Sequence, residues 1–277
     1  MTAEHTKLYP VATFASGPTN SMRGAAFLSE VSNGAVVDIG GTTADIGVLV
    51  NGFPREASLT VQVGGVRTNF RMPDVLSLGV GGGSIVRDVG DGVTIGPDSV
   101  GYEIPSRVIV FGGDTLTCTD VAVVAGLADI GDASRVMDLD PGLVKKTVAE
   151  IQIAIFDGVG RMKTSAEPIP VIVVGGGGVL VDDELEGSSV VVRPEHFSVA
   201  NAIGAAIAQV GGEIDRIFTI AIDGREAAVE KAKEEAAQQA VDTGAEPSTV
   251  TIVEVPLAYL PSNAVRIRVK AVGDLRQ

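Results

Sequence analysis

One cysteine, two histidines, no tryptophan and few aromatic residues of any kind narrow what this 277-residue chain can do. Cys118 can form no intrachain disulfide, which fits a reducing compartment. It lies within Thr-Leu-Thr-Cys-Thr-Asp, distant in sequence from both His5 and His196, so a histidine-activated thiol has no support. Positive charge is also scarce. Against 35 acidic residues stand 21 basic ones, a formal charge of −14, which argues against a nucleic-acid partner or an anionic membrane surface. Any phosphate site here must rest on backbone donors and a metal ion. Long apolar runs are missing too: the longest, Val171 to Val181, falls short of the roughly 20 residues of a membrane span and contains Gly175 to Gly178. The N-terminus shows no basic-then-apolar leader, which predicts a cytoplasmic protein. Fixed-period repeats and low-complexity tracts are likewise missing.

What is present is a hydrophobic content of 45%, enough for a folded globule of one large domain or two ordinary ones. The chain is organised around Val36 to Val50, two runs of branched apolar residues either side of Gly40-Gly41-Thr42-Thr43. Glycines at such a point favour a hairpin turn, and the turn gathers backbone N–H groups and two threonine hydroxyls into a concavity suited to phosphate oxygens. With Gly41 and Thr42 as the turn residues, Asp38 stands opposite Asp45. Like charges facing each other across a ladder call for a cation. A Mg²⁺ ion carried in with a nucleotide would supply it, because hard cations take one or two carboxylates plus phosphate oxygens. An ordinary hairpin with acids at its strand ends fits the same residues, and a one-residue bulge would send the two acids to opposite faces.

Two further glycine clusters follow short apolar strands. Gly79-Val-Gly81-Gly82-Gly83-Ser84 comes after Val75 to Leu78 and brings backbone close to a ligand, but it lacks the third glycine of a dinucleotide fingerprint. Gly175, Gly176, Gly177 and Gly178 come after Val171 to Val174, a strand apolar enough to be buried on both faces. There a flat ring could lie on bare backbone, although a tight strand–helix crossing explains the same glycines. Asp114 and Asp120 fit a turn and a helix first turn better than a metal site. His196 is assigned no chemistry. Helices are predicted over about Asn20 to Glu30, Thr119 to Leu127, Asp140 to Lys163 and Val199 to Val210. The first and last carry small faces, Gly24-Ala25-Ala26 and Ala202 to Ala208. Ser58 to Val63 and Arg107 to Phe111 read as extended, and Gly90 to Gly92 and Ile95 to Asp98 as turns. From residue 213 the pattern changes to a strand over Phe218 to Ile222, a charged helix opened by Asp223 and Glu226, and strands over Thr249 to Val255 and Ala264 to Val272. This predicts two domains, 1–212 and 213–277, the second a small α+β appendage.

The hairpin, the glycine-rich strand end and the two small-faced helices resemble the actin, hexokinase and Hsp70 class of ribonuclease-H-like α/β nucleotide-binding folds. More closely, Ser16-Gly-Pro18, Val37 to Gly47, Gly79 to Ile85, Gly112 to Asp120, Val255 to Pro261 and Ala264 to Val269, in that order, resemble the hydantoinase A/5-oxoprolinase family. That resemblance implies ATP-dependent opening of a cyclic amide, with the ring carbonyl oxygen phosphorylated and the carbon then attacked by water. It implies Asp38 and Asp45 as catalytic, Mg²⁺-holding or water-orienting acids. Gly40, Gly41, Thr42 and Thr43 would cradle the phosphates of ATP, and Gly175 to Gly178 would contact its adenosine. It also implies a histidine two residues beyond Asp74, where this chain has Leu76. Family members carry a second Asp-x-Gly-Gly-Thr hairpin in an N-terminal half, so this chain reads as the C-terminal half, inactive without that half or a second subunit and open to homo-oligomerisation. A regulatory or reactivating ATP-binding module is the alternative. A sugar or acyl kinase is disfavoured because no sugar-binding insert is evident.

Overall fold

The computed structural model describes residues 3–8, 10–57, 62–63, 65–67, 72–90, 92–261 and 263–276. Two compact units emerge: Ala15–Ala206, and a second formed by Met1–Phe14 with Ile207–Gln277. In chain order, α1 (Ala3–Leu8) and α2 (Ser16–Ser29) precede β1 (Gly34–Ile39), β2 (Ala44–Val50) and β3 (Phe53–Pro54). Then come β4 (Gln62–Val63), β5 (Val66–Arg67), β6 (Val75–Leu78), β7 (Ser84–Asp88) and β8 (Val93–Ser99). Helices α3 (Ile104–Arg107), α4 (Cys118–Val124) and α5 (Pro141–Met162) lead to β9 (Ile169–Val174), β10 (Ser188–Val192) and α6 (Ala200–Ala206).

The central sheet runs β10-β9-β1-β2-β3, with β6 also pairing β2. β1, β9 and β10 are parallel, while β2 is antiparallel to β1, β3 and β6. An antiparallel hairpin continued by parallel strands on its other side is the ribonuclease-H-like sheet of the actin, hexokinase and Hsp70 class. Helices cover both faces, which explains why Val171 to Val174 is apolar without alternation. Val37, Ile39, Ile46 and Val173 pack with Ile151 and Ile155 of α5. Val36, Leu49, Ile172 and Val174 pack with Met22 and Ala25 of α2 and Ala200 of α6. α5 starts where the sequence says it should: the Asp140 side chain accepts from Leu143 N at 3.0 Å and proline follows as the first helical residue.

The two small-faced helices lie against each other. A Cβ on Gly24 would overlap the Ala200 carbonyl oxygen, and one on Gly204 would overlap the Asn20 carbonyl oxygen. Backbone-to-backbone contact of this kind excludes side chains altogether. Gly24→Ala is therefore expected to force α2 and α6 apart and destabilise the unit by about 2–3 kcal/mol, as overpacking does. A lowered midpoint in urea unfolding with an unchanged slope checks this.

Several expected elements differ. Arg107 to Phe111 is not extended: Pro105 sits in the first turn of α3, and Ile109–Phe111 is a 3₁₀ turn closed by Gly112 at φ +98°. Its Val108 and Val110 are buried with Val100 and Val136, and an apolar run alone does not distinguish strand from buried helix. Ile95 to Asp98 is no turn but part of β8, which pairs with β7 across a register shift that leaves residues 96–98 without a registered partner, so Pro97 costs the ladder no hydrogen bond. Asp91, residues 58–61 and residues 68–71 lie outside the described residues. The helix expected at Val199 to Val210 ends at Ala206, and Gln209 already opens the next strand.

In the second unit, β11 (Gln209–Thr219) replaces the short strand expected at Phe218, and α7 (Ile220–Asp242) is interrupted at Gly224, φ +77°. The side chain of Asp223 is outside the described residues. β12 (Thr251–Glu254), β13 (Leu257–Leu260) and β14 (Ala264–Asp274) complete a sheet ordered β11-β14-β12, with β13 also on β14. The stretch between Pro256 and Pro261, which separates the two strands expected there, is itself a strand. Ala228, Ala232, Ala236 and Ala240 form the buried stripe of α7, packed on Val265, Ile267, Val269 and Ala271.

Candidate functional site

β1 and β9 are parallel neighbours with Asp38 beside Val174, so Gly40 and Gly175 leave the sheet side by side at its carboxyl end. Open sheets of parallel strands bind their ligands at this end. In the hairpin, Ile39 pairs with Ala44 and Asp38 with Asp45, and Gly40 N donates to Thr43 O at 2.9 Å. The turn residues Gly41 and Thr42 are exposed, and their N–H groups meet no protein acceptor among the described residues.

The Gly79–Ser84 loop braces this turn. Gly82 N donates to Gly40 O at 3.0 Å and Gly83 N to Gly41 O at 2.6 Å. Gly81 N is taken by the Ser84 hydroxyl at 2.8 Å, and Ser84 N by Gly81 O at 3.0 Å. A Cβ on Gly81 would sit 2.7 Å from Thr42 N, and one on Gly83 2.8 Å from Gly41 O. The glycines of this loop are thus required for contact with the hairpin, and the four N–H groups expected to face a ligand are consumed internally. Thr119 locks the brace from α4, its N–H and hydroxyl both donating to Gly82 O at 2.8 and 2.9 Å.

After β9, Gly175 adopts φ +85°, ψ 157°, with its N–H donating to Phe197 O at 2.9 Å. A Cβ there would overlap Asp38 Oδ1 and Ile39 O. Gly177 lies against Ile39 and Gly40 O, and Gly178 packs on Phe197. Gly176 differs: it is exposed, and a Cβ would find nothing within 4 Å. Just after β10, Arg193 donates to Val181 O at 2.7 Å and pairs with Asp183, holding the far side of the loop.

Gly40 and Gly41 of the turn, Gly82 of the brace and Gly176 and Gly177 of the loop converge on one cavity of about 200 Å³. Its remaining wall is apolar, from Ile104, Ala122, Ala128, Ile130, Val179 and Leu180, with Thr119 the one polar side chain. Pockets for whole ligands usually measure roughly 300–1,000 Å³. This one has room for part of a ligand, and its walls suit an apolar group. Thr42, Thr43, Gly81, Gly83, Ser84, Gly175, Gly178 and the two acids are not in its lining.

Asp38 and Asp45 lie on the other sheet face. Strand alternation puts Asp38 with Val36, against α2, and its cross-strand partner Asp45 with it. The Asp38 carboxyl is pushed above the ordinary carboxylate range, first by burial and further by the charge of Asp45, while a hydrogen bond from the Ser21 hydroxyl opposes the rise. Asp45 accepts from the Ser77 hydroxyl at 2.5 Å. No group of three or more His, Cys, Asp or Glu side chains that could hold a metal is found among the described residues. Two carboxylates that repel each other fit a Mg²⁺ ion that keeps its waters and arrives on phosphates, and do not fit a resident, fully protein-held metal.

The other candidates resolve as structural. Asp120 is fully buried, accepting from Val110 N at 2.9 Å, Thr117 N at 2.8 Å and the Thr117 hydroxyl at 3.0 Å in a capping box. Asp114 accepts from its neighbour Thr115. Burial pushes the Cys118 thiol up to about 12, which leaves it inert. His196 lies at the surface with φ +64°, beside Glu195. The sequence reading missed Thr119 and Ile104 at the cavity, and Ser21 behind Asp38. Only the first has a local signal, its place in the first turn of a helix beside glycine loops.

Comparison with known proteins gives similarity in sequence over the first part of the chain and in fold over most of it. A family model described as hydantoinase/oxoprolinase matches residues 1–132, which include the hairpin, the brace and the α4 capping box. Over that stretch the chain is similar to the hydantoinase/oxoprolinase family. Two curated relatives match it: the acetone carboxylase beta subunit of Xanthobacter autotrophicus, 33% identical over 121 residues, and the acetophenone carboxylase gamma subunit of Aromatoleum aromaticum, 32% identical over 120 residues. Each match covers 41% of this chain and 16% of the relative. Among solved structures, a nucleotide-free acetone carboxylase superposes on 94% of this chain with a TM-score of 0.63 at 19% identity. The ATP-dependent caprolactamase of Pseudomonas jessenii superposes on 92% with a TM-score of 0.61 at 16% identity. These two share the fold, and the chain spans 49% of the length of each. No helix among the described residues is long and apolar enough to cross a membrane.

Proposed function

We propose that this chain is the nucleotide-binding part of an ATP-dependent enzyme that activates a carbonyl compound, a cyclic amide in the first instance. The convergence of the phosphate-type turn and the Gly176–Gly177 loop on one cavity at the carboxyl end of β1 and β9 carries the reading. The free N–H groups of Gly41 and Thr42 would hold phosphate oxygens. The apolar cavity would take the flat base over Gly176. Asp38 and Asp45 would hold Mg²⁺ or orient water. When bound, MgATP would supply a phosphoryl group to the carbonyl oxygen, which would open its carbon to attack by water with cleavage of the ring C–N bond and departure of the ring nitrogen as an amine. Fixed backbone dipoles and the two carboxylates would do the chain's share, because they need no reorganisation as charge develops.

The names of the relatives support ATP use and a carbonyl substrate: two are ketone carboxylase subunits and one is a lactamase called ATP-dependent. They also support a need for further subunits. The cyclic amide, the phosphorylated intermediate, the Mg²⁺ ion and the cytoplasmic location belong to the proposal. Titration calorimetry with MgATP tests it. The wild-type chain should bind in the micromolar range, and the Asp38→Ala, Asp45→Ala double variant should lose at least tenfold, in line with the loss of metal-ligand groups. Wild-type protein that binds no MgATP would overturn the reading. Stimulation of ATP hydrolysis by a lactam rather than a ketone, in the presence of the complementary subunit, would select the cyclic amide.

A further inference from the structure

The cavity wall holds one polar side chain, and its partner fixes the direction of its hydrogen bond. Thr119 Oγ1 lies 2.9 Å from Gly82 O. A carbonyl oxygen only accepts, so the hydroxyl proton is spent there and two lone pairs remain. No donor among the described residues is placed on them. The backbone carbonyls beside it are engaged as well: Gly82 O also takes the Thr119 N–H at 2.8 Å, Gly40 O accepts from Gly82 N, and Gly41 O from Gly83 N. Thr119 and Ala122 stand three residues apart on α4 and both line the cavity, so the threonine lies on the helix face turned to it. The first turn of α4 is held in place by buried Asp120, which accepts from Thr117 N and Val110 N. Gly82 adds to the constraint, since even a Cβ there would stand 3.0 Å from Oγ1.

From this arrangement we infer that Thr119 reads the base: its oriented hydroxyl accepts from an exocyclic amino group, so the cavity selects adenine, with an amino group at C6, over hypoxanthine and guanine, with a carbonyl there. The inference rests on the proposed function, which puts a nucleotide base in this cavity. An amino group that meets Oγ1 exchanges a water for a new acceptor. A carbonyl oxygen in the same place sets lone pair against lone pair among apolar walls, and a polar group left unpaired costs more than a made hydrogen bond gains. Thr119 turns donor only by releasing Gly82, so the hydroxyl does not adapt to both bases. Selection of this kind works through the penalty on the wrong base as much as through the contact with the right one.

Titration calorimetry of the full chain tests this with the Mg²⁺ complexes of ATP, inosine triphosphate and purine riboside triphosphate, whose bases carry an amino group, a carbonyl and a hydrogen at C6. ATP should bind about tenfold or more tightly than inosine triphosphate, with the purine analogue between them. Thr119→Val keeps the branched shape and the backbone N–H to Gly82 O, and should bring the three affinities within about twofold of one another. Thr119→Ser keeps the hydroxyl and should preserve the order. A purely structural role would weaken all three nucleotides alike, so an unchanged ratio in Thr119→Val overturns the inference. Wild-type protein that binds the three equally overturns it too, and leaves the proposed function standing. Wild-type protein that binds none of them overturns the proposed function and the inference with it. Where Thr119→Val does not fold, the structure of the wild-type ATP complex decides: adenine N6 should lie within about 3.2 Å of Thr119 Oγ1, and an N6 on any other partner overturns the assignment.

Discussion

Gly175→Ala is expected to cost about 3–5 kcal/mol, while its neighbour Gly176→Ala should leave stability within about 0.5 kcal/mol and weaken MgATP binding instead. At φ +85°, ψ 157° the first position lies in a backbone region that is essentially glycine's alone, worth about 1–3 kcal/mol of strain to any other residue. Its new Cβ would also overlap Asp38 Oδ1 and Ile39 O, in a fold that cannot spread because β1 and β9 are paired there. A unit of this size loses about 2–4 °C per kcal/mol, so the melting midpoint should drop by roughly 10 °C. Gly176 has no neighbour within 4 Å of a Cβ, so the fold does not register the methyl group. The ligand does, because Gly176 lines the cavity. One extra carbon against a fitted ring corresponds to about a tenfold or greater loss of affinity. Differential scanning calorimetry beside titration calorimetry measures both. Equal stability losses in the two variants would mean that the loop is only a packing device, and an unaffected affinity in Gly176→Ala would remove the ligand from the cavity.

Asp38→Asn should weaken Mg²⁺-dependent ATP binding about 10–100-fold and at the same time raise the melting midpoint at neutral pH. The second effect follows from the direction of the carboxyl's shift. Burial and the Asp45 charge raise the Asp38 pKa in the folded chain above its unfolded value. A carboxyl of this kind contributes stability that is fully present below the unfolded value and is lost as pH rises through the folded one. At pH 7 the ionised group therefore opposes folding. Asparagine can still accept from Ser21 and has no charge to bury. The two proteins should melt alike in acid, where Asp38 is protonated in both states, and diverge in favour of Asp38→Asn as pH rises out of the carboxylate range. The gap should then stay constant towards pH 8. Wild-type protein more stable than the variant at pH 7 would mean that Asp38 is retained for the fold. A stabilised variant with impaired binding is the pattern of a strained functional group.

Much of the site could be read from the chain itself because its information is local. The turn at Gly41-Thr42 decides the register of β1 and β2, and the register alone sets Asp38 opposite Asp45. Asp140-Pro141 likewise opens α5 by capping geometry that needs no partner. The unbroken apolar run of β9 announces burial on both faces. Three things were decided only in three dimensions. Gly81, Gly82 and Gly83 look like a ligand loop in sequence, yet Gly82 and Gly83 spend their donors on Gly40 and Gly41, reached across the fold, and Gly81 spends its own on Ser84. Gly175 and Gly176 are indistinguishable as letters, and only the proximity of Asp38 and Ile39 makes one a structural necessity and the other an open floor. Ser21 and Asn201 are 180 positions apart, and no local pattern of either could show that they meet where α2 crosses α6. Sequence patterns specify dihedral angles and faces over a few residues, whereas hydrogen-bond partners and van der Waals limits between distant segments exist only once the sheet and its helices have closed around them.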